Sequence, residues 1–192
     1  MNNIQNKLFA TQIKNFSAEI EQFAQDQLIT HKTRDLMDTD FGTPSKLLTD
    51  DHFSITKICT ADKAKKECWK TTATGKDKVT YKRLDGRNYV PSLGNLTVIL
   101  KNGVMFICSK SSYSGYIVCR VDVNGNDKPN VAGRDFWGFY LDSKGHLTSF
   151  PSPSNKDISH NSRVNKCKNV TGEIAQYFCF DALVENGWKM DY

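Results

Sequence analysis

The sequence predicts an α+β fold: a long N-terminal helix packed on an antiparallel sheet of four or five strands, with a loop-rich, disulfide-stapled insertion. Three observations carry this reading. The first 29 residues repeat apolar side chains at helical spacing, residues 96–123 read as consecutive hairpins, and the six cysteines fall in three close couples.

The helix comes first. Ile4, Leu8, Ile13, Phe16, Ile20, Phe23 and Leu28 recur at steps of three to five, separated by Asn, Gln, Lys and Glu, with no Gly or Pro. One stripe of that helix must pack on something. At 1.5 Å per residue the element would be about 40 Å long, more than a domain of this size requires; plain core contact is one reading of the stripe and a protruding spine the other. Residues 30–89 lose the pattern and are read as a variable insertion, with short helices expected at Ser45–Leu48 and Ala61–Trp69. Within it lie Cys59 and Cys68 and a basic run of Lys57, Lys63, Lys65, Lys66, Lys70, Lys76, Lys78, Lys82 and Arg83.

The sheet occupies residues 90–160. Asn102-Gly103 is a favoured two-residue turn between Leu96–Lys101 and Val104–Cys108, which would pair Leu100 with Met105 and Ile99 with Phe106. The next hairpin, folded so that Cys108 faces Cys119, sets Phe106 opposite Val121 and puts these residues on one apolar face. Opposed Cβ atoms lie within disulfide reach. A bridge there implies an oxidising compartment, whereas two free buried thiols would suit the cytosol. The face with Ile99, Phe106 and Val121 is expected under the helix, and Arg120 and Asp122 interrupt the other. A further hairpin runs Asp135–Leu141 and His146–Phe150. Residues 161–192, with Cys167 and Cys179, read as a disulfide-closed loop followed by an edge strand or short helix, Trp188 serving as a core plug.

Composition sets bounds. The 192 residues carry 26 Lys+Arg against 21 Asp+Glu, a net charge of +5, which alone is no nucleic-acid signature. The longest apolar run, Val104–Cys108, is far short of the roughly 20 residues that cross a bilayer. No secretory signal opens the chain. The four histidines are scattered, without HExxH or G-x-S-x-G, so no enzyme is expected. The segment holding Asp122, Asn124, Asn126 and Asp127, with Asp135 beyond it, gathers oxygen donors suited to calcium, but fits the EF-hand loop only in part. The same residues suit Asx turns around Gly125. Basic charge interleaved with Trp69 and Tyr81 suits single-stranded nucleic acid; a solvated lysine-rich loop is the plainer reading.

Three features resemble type IV pilin-like proteins, minor pilins or type II secretion pseudopilins of Gram-negative bacteria. They are the opening helix, the run Val121-Asp-Val-Asn-Gly-Asn-Asp-Lys-Pro-Asn-Val-Ala-Gly-Arg-Asp135-Phe-Trp-Gly-Phe, and the Cys-closed C-terminus ending Gly187-Trp188-Lys189-Met190-Asp191-Tyr192. The run is similar to the "D-x-N-G … P-N … G-x-D-x-F" stretch of many such proteins, with Trp137 in the last place. The resemblance implies a filament subunit of the periplasm or cell surface that assembles with other pilin-like subunits through Ile4, Leu8, Ile13, Phe16, Ile20 and Phe23. It further implies a leader and a hydrophobic anchor of about 20 residues ahead of Met1, holding the full-length protein in the inner membrane before assembly. Some pseudopilins bind calcium beyond the hairpins, and some minor pilins capture DNA. The alternative is a secreted, disulfide-stabilised module that recognises DNA or an anionic glycan through residues 57–83, chiefly Lys63, Lys65, Lys66, Lys70, Lys76 and Lys78.

Overall fold

Helix α1 runs Asn3–Thr30, as its unbroken periodicity requires, in a computed structural model that describes residues 3–42, 52–93, 96–169 and 174–192. It ends where Lys32 turns left-handed (φ 51°), with the Thr33 amide donating to the Leu28 carbonyl and Lys32 to Ile29. That closure caps the last carbonyls of the helix. Phe9, Ile13, Phe16, Ile20 and Phe23 are buried against the sheet.

The strands follow as β1 (Ile55–Cys59), β2 (Tyr81–Lys82), β3 (Asn88–Tyr89), β4 (Thr97–Leu100), β5 (Met105–Lys110), β6 (Ile117–Asp122), β7 (Phe136–Leu141) and β8 (Leu147–Thr148). Six of them form one antiparallel sheet in the order β1-β4-β5-β6-β7-β8, and β2 with β3 make a separate ribbon. The α+β class stands, with more strands than the expected four or five because the insertion itself supplies edge strand β1.

Register decides which side chains meet. β5 and β6 pair Cys108 with Cys119 and Phe106 with Val121, as the alternation dictates. The β4–β5 hairpin differs by one residue from the expected register: Val98 faces Phe106 and Ile99 faces Met105. The loop holds three residues rather than two. Gly103 adopts φ 88° and donates to the Leu100 carbonyl, while the Asn102 side chain accepts from the Val104 amide. The slip moves Val98 and Leu100, not Ile99, to the face under α1.

Both faces of the sheet are covered. One carries Phe106, Cys108, Val121 and Trp137 beneath α1. Met105, Ile107 and Phe136 on the other pack with Trp69, Tyr81, Tyr89 and Leu93 in a second core. The insertion is therefore a lid on the sheet. Helix α2 (Ala61–Lys63), continued as one π turn over Ala64–Cys68, brings Trp69 inward, in agreement with the expected Ala61–Trp69 helix. The expected helix at Ser45–Leu48 lies outside the described residues.

The C-terminal region forms two helices, α3 (His160–Asn169) and α4 (Ala175–Glu185): α4 is the short helix rather than the edge strand of the two expected forms, and α3 stands where only a loop was expected. Ala175 through Leu183 are all buried, Gln176 and Asp181 included, so α4 is covered on every side and lacks the one-sided stripe that marks a surface helix. Tyr177 of α4 passes directly over Gly138 of β7, where an added Cβ would come within 2.3 Å of its ring. Trp188, partly buried, packs edge-on to Phe180 at 5.8 Å. Three disulfides close the molecule: Cys59–Cys68, Cys108–Cys119 and Cys167–Cys179.

Candidate functional site

Three places hold the residues singled out by sequence: the α1 stripe, the loop between β6 and β7, and the lysine-bearing side of the insertion.

The stripe is divided. Phe16 meets the Phe106 ring at 5.1 Å and Phe139 at 6.5 Å, and Phe23 meets Phe41 at 5.3 Å and Phe53 at 5.0 Å. Ile13 and Ile20 are fully buried between them. Ile4 and Leu8 are 73% and 54% exposed, because about 100° per residue turns them to the side of α1 away from the sheet; the expected single stripe therefore does not include them, and Gln5 and Asn6, on the sheet side, are half-buried. Beside these first turns, Arg134 donates to the Asn6 side chain at 3.1 Å.

In the β6–β7 loop the acidic and amide residues are engaged with the protein. Asp122, fully buried at the end of β6, accepts the Tyr81 hydroxyl at 2.7 Å and the Asn124 amide at 3.2 Å. Asp135 accepts the Asn130 and Val131 amides, each at 2.6 Å. Asn124 donates to the Asp127 and Lys128 carbonyls, and Asn126 to the Cys68 carbonyl at 2.7 Å, which ties the loop to the insertion. These are the turn-bracing contacts expected of Asx residues around Gly125, whose φ is 68°. Burial, and then the nearby charge of Asp135, push the Asp122 carboxyl well above the usual aspartate range. Burial raises Asp135 to about 6. The same burial, with Asp122 alongside, raises the Tyr81 hydroxyl. Side-chain oxygens of Asn124, Asn126 and Asn130 are buried without a hydrogen-bond donor. Asp127 is exposed, apart from the Asp122–Asp135 couple. Among the described residues no group of three or more His, Cys, Asp or Glu side chains is arranged to hold a metal ion.

Tyr81 was not legible as the partner of Asp122. The two lie 41 residues apart, and only the covering of the sheet by the insertion brings them together. A second buried network, also unannounced by any motif, joins α3 to α4. Asp181 accepts the Phe150 amide and Asn155, and Arg163 reaches Asn155 and Glu185. Burial lifts Asp181 to about 6.

On the insertion, Lys63, Lys65, Lys66, Lys76 and Lys78 are exposed and Lys70 is half-buried. Trp69 is 0% and Tyr81 1% exposed, so the aromatics interleaved in sequence offer no surface to a base. Their bulk and apolarity went to the second core instead. Arg83 is likewise turned inward, 3.6 Å from Asp85. Lys128, from the β6–β7 loop, joins Lys70, Lys76, Lys78 and Lys82 around one open depression. All six cysteines are buried and bonded in pairs.

No protein-family model, curated protein or solved structure gives a significant match to this chain. No helix among the described residues is long and apolar enough to cross a membrane.

Proposed function

We propose that this chain is a structural subunit of a pilin-like filament, a type IV pilus or type II secretion pseudopilus, which assembles through α1. In this reading the head is built by the sheet, the insertion and the C-terminal helices, and it needs no active site. Assembly takes place at the periplasmic or cell-surface side of an inner membrane that holds the anchor.

One observation carries the reading: two large apolar side chains, Ile4 and Leu8, stand exposed one turn apart on the side of α1 away from the protein's own sheet. Phe9, Ile13, Phe16, Ile20 and Phe23 face the protein's own sheet, while Ile4 and Leu8 form a separate apolar pair that the head leaves uncovered. Exposed apolar side chains so paired gain by burial against a neighbouring subunit, about 1.5–3 kcal/mol for each fully covered Leu or Ile. The three buried disulfides support a compartment outside the cytosol.

The test is the double variant Ile4→Asp/Leu8→Asp. Both positions are already exposed, so its melting temperature should stay within about 2 °C of wild type. In the full-length gene product, filaments recovered by shearing from the cell surface should be lost. Normal filament yield from a stably expressed variant would overturn the proposal.

A further inference from the structure

On the sheet face opposite α1 the cover changes along the strands. Met105, Ile107 and Phe136 lie under the insertion. Tyr140 lies instead under Phe150 and under Tyr177 of α4, with ring centroids 5.5 and 5.0 Å away. Arg120 stands at the seam, facing Ile107 on β5 and Gly138 on β7. Gly138 has no side chain and Tyr177 fills its place, which sets the Arg120 guanidinium 5.9 Å from the centre of the Tyr177 ring. The Tyr89 hydroxyl donates to the Gln176 side chain and joins the insertion to α4 beside it.

Arg120 is half-buried and its charge is unbalanced. Among the described residues no carboxylate lies within ion-pair distance of it. Asp122, on the same face of β6, is taken up by Tyr81 and the Asn124 amide. The Arg120 Nε–H is buried without an acceptor. Burial raises the Tyr140 and Tyr177 hydroxyls by more than the Arg120 charge lowers them, so both stay neutral near neutral pH. A half-buried cation left without a counter-ion is costly, and a bound anion removes that cost.

The donors define the anion. A guanidinium is a planar fork that matches a carboxylate with two parallel hydrogen bonds. Two neutral hydroxyls add donors but no charge, so one negative charge balances the site and a dianion would leave one unpaired. Tyr113 and Tyr116, half-buried on the β5–β6 loop, pack edge-on to Tyr140 at 6.4 and 6.5 Å and form an aromatic rim.

We propose that Arg120, with the hydroxyls of Tyr140 and Tyr177, binds the carboxylate of a monoanionic acid with an apolar or aromatic body. The seam lies away from α1, so the site holds or fails independently of the filament reading.

Proton–nitrogen correlation spectra of the full chain test this, read at the amides of Ile107 and Gly138, which flank Arg120 across the strands. Sodium acetate should shift them saturably, with a dissociation constant of about 10 mM or tighter, and 3-phenylpropionate should bind at least about tenfold tighter. The amide of that acid should not bind, nor should chloride or sulfate at equal ionic strength. Arg120→Gln should abolish binding, and Arg120→Lys should weaken it at least about fivefold. Tyr177→Phe keeps the ring on Gly138, so the chain stays folded, and should weaken binding at least about threefold. N-acetyl-Gly-Gly-Phe with a free carboxyl separates the sources: tighter binding than 3-phenylpropionate assigns the site to a peptide end, weaker or equal binding to a small free acid. Acetate shifts that do not saturate, that chloride or sulfate reproduces, or that persist in Arg120→Gln would overturn the proposal.

Discussion

Replacing Trp69 by Ala tests whether the insertion is a structural lid or a solvated loop. Trp69 is fully buried, its ring edge-on to Phe136 at 5.9 Å and to Tyr81 at 6.3 Å. Its indole N–H donates to the Thr97 hydroxyl at 2.7 Å, in the strand next to β1. Truncation removes the largest side chain of the second core and leaves a cavity bounded by the sheet and by the Cys59–Cys68 bridge, which limits collapse. Comparable truncations cost about 3–5 kcal/mol. For a chain of this length, each kcal/mol shifts the melting temperature by about 2–4 °C, so a fall of roughly 6–20 °C is expected. Trp69→Phe keeps most of the volume and loses the hydrogen bond, so it should cost about 1–2 kcal/mol. Urea unfolding followed by far-UV circular dichroism, with near-UV signal as a second probe, reads both. A cost below about 0.5 kcal/mol for the alanine variant is what an exposed loop residue would give, and it would refute the two-core architecture.

Two more outcomes follow from packing and burial. Burial raises Asp181 to about 6, above the roughly 4 of an unfolded aspartate, so the folded state holds that proton more tightly. Its contribution to stability is complete below about pH 4 and is lost as pH rises through 6. Both bonds it accepts fall on Oδ2, so the amide oxygen of Asp181→Asn can take them. Between pH 4.5 and 7 the unfolding free energy of that variant should therefore gain on wild type, by up to about 2 kcal/mol; a gain for wild type over that range would contradict the assignment. Gly138→Ala sets a Cβ 2.3 Å from the Tyr177 ring, whereas Gly86→Ala meets nothing within 4 Å and bears only the strain of φ 82°. The first should cost about 3 kcal/mol or more and the second about 1 kcal/mol in the same unfolding assay, and equal costs would mean that α4 does not press on β7.

The sequence by itself determined the local elements. An uninterrupted period near 3.6 can form only a helix, and residues 3–30 do so. Alternation placed Cys108 opposite Cys119 and Phe106 opposite Val121, because a strand has only two faces and one of them was apolar. The oxygen-rich run between β6 and β7 announced turns, and its Asx side chains brace turns. What the tertiary structure decided was everything that depends on covering. A one-residue difference in the β4–β5 loop exchanged Ile99 for Val98 and Leu100 under α1, since loop length sets register and no local signal marks a three-residue turn around Asn102-Gly103. Lys128 and Lys70 share a groove although 58 residues separate Asn126 from its partner Cys68, the contact that draws their segments together. Trp69 and Tyr81 looked like surface aromatics in a basic run and became a core, because the apolar face of Met105, Ile107 and Phe136 had to be removed from water and the insertion was the chain within reach.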